Sequence, residues 1–369
     1  MSKYRTSYLK NAFALADSGE DVMQILTDDV VTRFDVELRA TNGATNNQGV
    51  SIADVITSFD IMDGSEPIVS LSGAELAGMV VARNNRWVQG LISEVPNAVQ
   101  VMRFSIDFGR WYGDQSLALD LSKHNNLQMR LKWNLAAIRA VGATGFVTGT
   151  ARYTVIAHIM EGASNPLAYL SMKRHALFTT VASGIQPVPL PVDKIIKSIG
   201  IRSFEAAVGQ LSGISHVRML YNEGKEIPID LDTDSFLDSL VNIWPSYSYR
   251  HVFHAQGTDT ITALLKYREE LKPTPENKLA NAQYVNTGIG EGVLNLVTGT
   301  TGVDLATDSI INALVHGYMP FSLAYLQFGT YDDPDSYLQA PSYKSVRLEL
   351  TQNNAGAVAS VILEQVNSY

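Results

Sequence analysis

Residues 63–76, DGSEPIVSLSGAEL, and residues 223–236, EGKEIPIDLDTDSF, follow one plan. Each ends a strand, turns, runs a second short strand and opens a helix. Gly64 aligns with Gly224 and Glu66 with Glu226, both at an offset of 160. Ser72 and Glu75 have capping-box spacing, in which each side chain satisfies a free backbone N–H at the start of a helix. The pattern predicts one helix over 72–84, with Leu76, Met79 and Val80 inward, and a counterpart over 233–243.

The match extends outward on both sides. Asp29-Val-Val with Leu38-Arg39 resembles Asp193-Lys-Ile-Ile with Ile201-Arg202. Further on, Phe104-Ser-Ile-Asp-Phe-Gly109 resembles Ala324-Tyr-Leu-Gln-Phe-Gly329, and Met129-Arg-Leu-Lys-Trp133 resembles Val346-Arg-Leu-Glu-Leu350. Five matches in one order describe an internal repeat. Gly109 and Gly329 stand 220 apart, so the second copy carries an insertion of roughly 60 residues after its helix.

Within each copy the dominant period is two, the mark of strands with one buried face. Phe34, Val36 and Leu38 alternate with Arg33, Asp35, Glu37 and Arg39; Met102 to Phe108, Leu117 to Leu121 and Leu127 to Trp133 alternate likewise. A nearly continuous apolar strand runs from Tyr153 to Met160. Short strands between Gly, Asn and Asp turns predict an all-β chain: two tandem antiparallel eight-stranded jelly-roll sandwiches with a few short flanking helices. Besides 72–84 and 233–243, helices are expected over 259–270 and 304–316, and a short amphipathic one over 4–15. Pro187, Pro189 and Pro191 predict an extended linker. The expected division is an N-terminal arm over 1–27, jelly roll 1 over 28–162, a linker over 163–191 and jelly roll 2 over 192–369. The insertion, 257–318, is expected as a surface elaboration opposite residues 1–20, between strands at 247–255 and 321–329.

The 369-residue chain is 46% hydrophobic and 18% charged, a globular balance, with a net charge of −9. That charge argues against wrapping nucleic acid, which needs a basic surface, so no direct sequence-specific nucleic-acid binding is expected. Only Lys3, Arg5 and Lys10 make a basic start, and Asp17, Glu20 and Asp21 follow at once. The absence of cysteine excludes disulfides, thiolate metal sites and cysteine nucleophiles. The N-terminus lacks the apolar core of a signal peptide, and no apolar run reaches the ~18 residues of a membrane span.

No catalytic constellation emerges. Gly209 to Gly213 places Ser212 one position late for a nucleophile elbow, and the glycine-rich runs 288–292 and 298–302 complete no phosphate loop. His251 and His254, three apart on a strand, point to opposite faces and are poorly placed to share a metal; His124, His158, His175, His216 and His316 are scattered. Asp230, Asp232 and Asp234 imitate a calcium loop, but Ser235 and Val241 stand where that loop needs Gly and Glu, which favours helix capping. Residues 331–335, YDDPD, read as an acidic surface turn. Glu66 and Glu226 occupy equivalent turns of two copies rather than one cleft. The chain is expected not to be an enzyme, and to have no catalytic, cofactor-binding or metal-binding residues.

Two repeated sandwiches, each with a helix after an early hairpin, resemble the double jelly-roll major capsid proteins of tailless icosahedral viruses, many of them bacteriophages. The resemblance is architectural, covers about 28–369 and carries over no functional residue. It implies a homotrimer whose six like domains make a pseudo-hexagonal tile, meeting neighbouring capsomers and penton or minor capsid proteins. It also implies location in the virion after assembly in host cytoplasm, with residues 1–20 touching a neighbour or an internal membrane. The alternatives are a carbohydrate-binding or carbohydrate-active jelly roll and a phage spike component. The former needs exposed aromatic platforms, for which Trp87, Trp111, Trp133 and Trp244 are available.

Overall fold

Alternation in sequence becomes alternation in burial. Along Leu127–Asn134 the apolar Leu127, Met129, Leu131 and Trp133 are buried, and the polar residues between them are half-exposed. The computed structural model describes residues 3–369 apart from 27, 46, 48, 85, 87, 139–143, 163–164, 206–210, 242, 244–246, 256–259, 265–273, 276–292 and 298–308. The first half runs β1 (Lys3–Ala14), β2 (Ser18–Gln24), β3 (Val30–Thr41), β4 (Ile56–Asp63), β5 (Glu66–Leu71), α1 (Gly73–Asn84), β6 (Gln89–Ser93), β7 (Val99–Asp107), β8 (Leu119–Asp120), β9 (Leu127–Asn134) and β10 (Arg152–Glu161). The second runs β11 (Ala168–Thr179), β12 (Gly184–Leu190), β13 (Ile196–Phe204), β14 (Ile214–Tyr221), β15 (Glu226–Asp232), α2 (Thr233–Val241) and β16 (Tyr247–Ala255). It continues through β17 (Thr260–Leu264), β18 (Thr274–Pro275), β19 (Val293–Val297), β20 (Ser309–Gly317), β21 (Leu323–Gln327), β22 (Val346–Gln352) and β23 (Val358–Ser368).

Strand order makes the repeat explicit. The first half pairs β1-β10-β3-β7 in one sheet and β2-β9-β4-β5 in the other; the second pairs β11-β23-β13-β21 and β12-β22-β14-β15. Every one of these pairings is antiparallel, and each has its counterpart at the same place in the other copy. The chain is all-β, two jelly-roll sandwiches in tandem. In each copy a helix follows a hairpin, α1 after β4-β5 and α2 after β14-β15. The recurring Phe-Gly has a steric cause: a Cβ on Gly109 would lie 2.2 Å from the Leu117 carbonyl oxygen, and one on Gly329 would lie 2.3 Å from that of Ser336.

Two apolar cores fill the sandwiches. Phe34, Phe59, Phe104 and Phe108 lie in the first, while Ile199, Val217, Met219, Phe236 and Leu348 lie in the second. Each such side chain contributes about 1.5–3 kcal/mol on leaving water. Helix α1 sits between the halves. A Cβ on its Gly78 would touch Leu323, and Met79 lies against Gly200, both of the second half.

Several expectations are corrected. Residues 4–15 form no helix: all but Leu15 lie in β1, paired with β10 from Lys3 to Ala14. Tyr4, Thr6, Tyr8 and Phe13 favour an extended backbone, and β10 offers it a partner. Residues 18–24 pair with β9, so the expected arm of 1–27 supplies two sheet strands. The expected linker of 163–191 holds β11, paired with β23, and β12, paired with β22. Pro187 and Pro189 are tolerated because β12 is an edge strand, where a missing N–H disrupts no second ladder.

The helices expected over 259–270 and 304–316 are replaced by strands where the chain is described. Thr260–Leu264 pairs with β19 and Ser309–Gly317 with β16. Their β-branched residues, among them Thr260, Ile261, Ile310 and Val315, suit strands once partners are present. The hairpin β16-β20 also joins the first half, for β16 runs parallel to β6. The sheet region therefore reclaims 309–317 from the expected insertion of 257–318. Most of the remainder, with the glycine-rich runs 288–292 and 298–302, lies outside the described residues, as does the expected placement of the insertion opposite residues 1–20.

Candidate functional site

The residues singled out for chemistry go to separate structural tasks. Glu66 opens β5 and accepts from the Lys173 ammonium at 2.7 Å, which lowers its carboxyl below the usual range. Glu226 opens β15 and accepts from the Asn222 side-chain amide at 2.8 Å. They stand at equivalent turns of different sheets. Asp232 accepts from the Ser235 backbone N–H at 2.9 Å and its hydroxyl at 2.8 Å, capping α2 and lowering its own pKa. Asp230 instead faces His216 at 3.2 Å and Arg218 at 3.6 Å. In the acidic turn 331–335, Asp333 accepts from the Asp335 N–H, and Asp332 offers its carbonyl to Arg110.

His251 is buried beside Phe253, ring centroids 4.1 Å apart, with Nε2 3.2 Å from Glu94 Oε1. Glu94 is itself fully buried and accepts from the Gly49 N–H at 2.9 Å. His254, an odd number of positions along β16, faces the other side. Among the described residues no group of three His, Asp or Glu converges to hold a metal ion. Of the tryptophans, Trp133 lies in the first core and donates to the Ala16 carbonyl at 2.7 Å. Trp111 is 42% exposed, but the Arg110 guanidinium covers its ring at 4.4 Å, leaving a poor sugar platform. Trp87 and Trp244 lie outside the described residues.

The most elaborate polar construction is the seam between the sandwiches. Arg83, in the last turn of α1, enters from the first half; Lys197 of β13 and Glu364 of β23 come from the second. Glu364 lies 3.0 Å from the Lys197 ammonium and 3.3 Å from the Arg83 guanidinium, with side chains 1%, 0% and 3% exposed. It also accepts from Ser198 at 2.8 Å and Tyr325 at 2.9 Å. Arg83 donates further to the backbone carbonyls of Asp107 and Gly109 at the end of β7.

Burial alone would push the Glu364 carboxyl up; Lys197 and Arg83 outweigh it and hold it at about 2. For Lys197, burial pulls down, Glu364 restores part of the loss and Arg83 removes some, leaving about 8. All three are therefore charged at neutral pH. Removing one member of such a buried set strands the others in a medium that solvates them poorly, so the cluster ties the two sandwiches in one orientation.

The same seam carries backbone bonds. Strand β5 of the first half pairs in parallel with β11 of the second, Val69 opposite Met172 and Ser70 opposite Lys173. Arg174 of β11 reaches Glu75 of α1 at 2.6 Å, beside the Lys173–Glu66 contact. Sequence reasoning passed over Arg83, Lys197, Glu364 and Glu94. The available signal was a lone charge inside an apolar strand, as in Ile195-Ile-Lys-Ser-Ile199 and Val361-Ile-Leu-Glu-Gln-Val366. A charge there needs a buried partner.

No protein-family model and no curated protein matches the chain. Solved structures do. The major capsid protein of STIV, Sulfolobus Turreted Icosahedral Virus, aligns with a TM-score of 0.60 at 12% identity, over 100% of this chain and 98% of that one. The major capsid protein P2 from bacteriophage PM2 aligns at 0.52 and 12%, over 100% and 98%. A chain of the PBCV-1 virus capsid aligns at 0.57 and 10%, over 99% and 94%. At such identities the likeness is one of fold, carried by strand order and not by side chains. The chain has the double jelly-roll fold of these viral capsid proteins, along its whole length.

Proposed function

We propose that this chain is the major capsid protein of a tailless icosahedral virus, with three copies forming a pseudo-hexagonal capsomer. The repeated strand order is the observation that carries the reading. Two like domains, locked at one angle by a buried charge cluster, turn threefold symmetry into a nearly sixfold tile. Coverage of the STIV and PM2 capsid proteins from end to end supports it further.

In this reading the chain performs no turnover. Its partners are its own copies, neighbouring capsomers and the penton or minor proteins at the vertices, and its place is the virion, after assembly in host cytoplasm. The domain division consistent with the pairing is 3–161 and 168–369, each supplying two four-stranded antiparallel sets, with β16 and β20 of the second joining the sheet of the first.

Native mass spectrometry of the purified chain tests the proposal. A stable species at three times 40.3 kDa is expected, with hexagonal outlines by negative-stain microscopy. A monomer at all concentrations overturns it and returns the chain to the carbohydrate-binding class.

A further inference from the structure

We infer that the copies join through a strand junction that each chain already makes once inside itself: β15 of one copy pairs in parallel with β1 of the next, as β5 pairs with β11. This rests on the trimer reading and names its contact. The internal repeat makes β15 the counterpart of β5 and β1 the counterpart of β11. Inside the chain, the β5–β11 pairing fuses β2-β9-β4-β5 with β11-β23-β13-β21 into one eight-stranded sheet. The counterpart strands β15 and β1 are each the last strand of their sheets.

Exposure differs between the copies as a missing partner would make it. In β5, Ile68, Val69 and Leu71 are each 1% exposed. In β15, Ile227 is 43% exposed and only Ile229 and Leu231 are half-buried. Strand β1 leaves Tyr4 49%, Tyr8 61% and Phe13 43% exposed. An open edge with apolar side chains on display is a template for another strand.

Charge selects the pairing. Residues 3–14 hold Lys3, Arg5 and Lys10 with no acid, while 226–234 hold Glu226, Asp230, Asp232 and Asp234 with no base. The internal junction uses the same polarity, with Lys173 on Glu66 and Arg174 on Glu75. Arg5 and Lys10 also meet Glu161 and Asp21 within the chain, so the attraction draws on the field of the whole strand. Each copy thus presents one acidic edge and one basic edge. Such a head-to-tail contact makes a ring when its rotation closes, and repeating the internal junction gives six domains in three chains.

The repeat offset of 160 sends Val69 and Ser70 to Ile229 and Asp230. Strands β1 and β11 are both 12 residues long, which sends Met172 and Lys173 to Ser7 and Tyr8. Because the chain has no cysteine, engineered thiols report one contact at a time. Ser7→Cys with Ile229→Cys, and Tyr8→Cys with Asp230→Cys, bring Cα atoms of paired strands within disulfide reach. After oxidation, a covalent ladder ending at the trimer is expected for the double variants, and monomers for each single variant. A native trimer that cross-links in neither pair refutes the β1–β15 contact and leaves the trimer reading standing. A chain that is never trimeric refutes both, and a cross-link confined to the monomer refutes the contact. Independently, Tyr8→Asp and Ile227→Asp should each weaken the trimer roughly tenfold or more with the circular dichroism of the strands unchanged. Trimers of undiminished stability in both variants would count against the contact.

Discussion

Replacing Glu364 by Gln keeps the side chain's shape and removes the one carboxylate that Arg83 and Lys197 share. Glu364 is 1% exposed and lies 3.0 Å from Lys197, so water cannot take its place. Stranding a buried charge in this way costs about 3–5 kcal/mol. Lys197 sets the upper bound, because it can discard its proton: from an ordinary value of 10.5, doing so at pH 7 costs about 5 kcal/mol. For 369 residues, at roughly 2.1 cal/mol/K each, the loss lowers the melting temperature by about 4–6 °C. The pH dependence gives a second readout. In the variant Lys197 is depressed further, so above its folded pKa the unfolded chain binds more protons and stability rises with pH. The gap to wild type should narrow from pH 7 to a little above 8, where Lys197 of the wild type gives up its proton too, in scanning calorimetry. The double variant Lys197→Met, Glu364→Leu should recover most of the loss, because apolar side chains need no partner. A loss under about 1 kcal/mol, or a gap indifferent to pH, would refute the view that this cluster holds the sandwiches together.

Other outcomes follow from the same geometry. Acid should dissolve the seam: the folded pKa of Glu364, about 2, lies below the ordinary 4.5, so its stabilisation is complete above pH 4.5 and lost as pH falls towards 2. That amounts to roughly 3 kcal/mol, to be read from acid unfolding of wild type against the Gln variant. Phe34→Ala empties a fully buried site that packs edge-on against Phe108, centroids 5.6 Å apart, and should cost about 3–5 kcal/mol in denaturant unfolding. Gly329→Ala should lower the soluble yield and melting temperature, because its φ of +64° is left-handed and its new Cβ would meet the Ser336 backbone. Glu66→Gln should change stability by no more than about 1 kcal/mol, since its contact with Lys173 is mostly in water.

Local chemistry was legible from the chain alone. Alternation along 34–38 and 127–133 reports which face of a strand meets the core, and that depends only on the two-residue period of the backbone. The repeat was legible for a related reason: a hairpin, a capped helix and a glycine without room for a Cβ constrain residue types within a few positions. Edge strands escaped this logic. β1, β12 and β15 have one partner and little buried surface, so nothing imposes alternation on them, and exposed aromatics and prolines resemble an arm or a linker. The helices expected over 259–270 and 304–316 failed similarly, for a short apolar cluster fits either period until a partner strand is known.

Composition, periodicity and repetition therefore determined the class of fold and its doubling, because each is a property of neighbours along the chain. Only the tertiary structure decided that residues 3–14 and 168–190 complete the sheets and that β16 and β20 extend the first sandwich. It alone brought Arg83, Lys197 and Glu364 together. Those three are separated by more than a hundred residues, and their attraction is strong only where two packed sandwiches exclude water from between them.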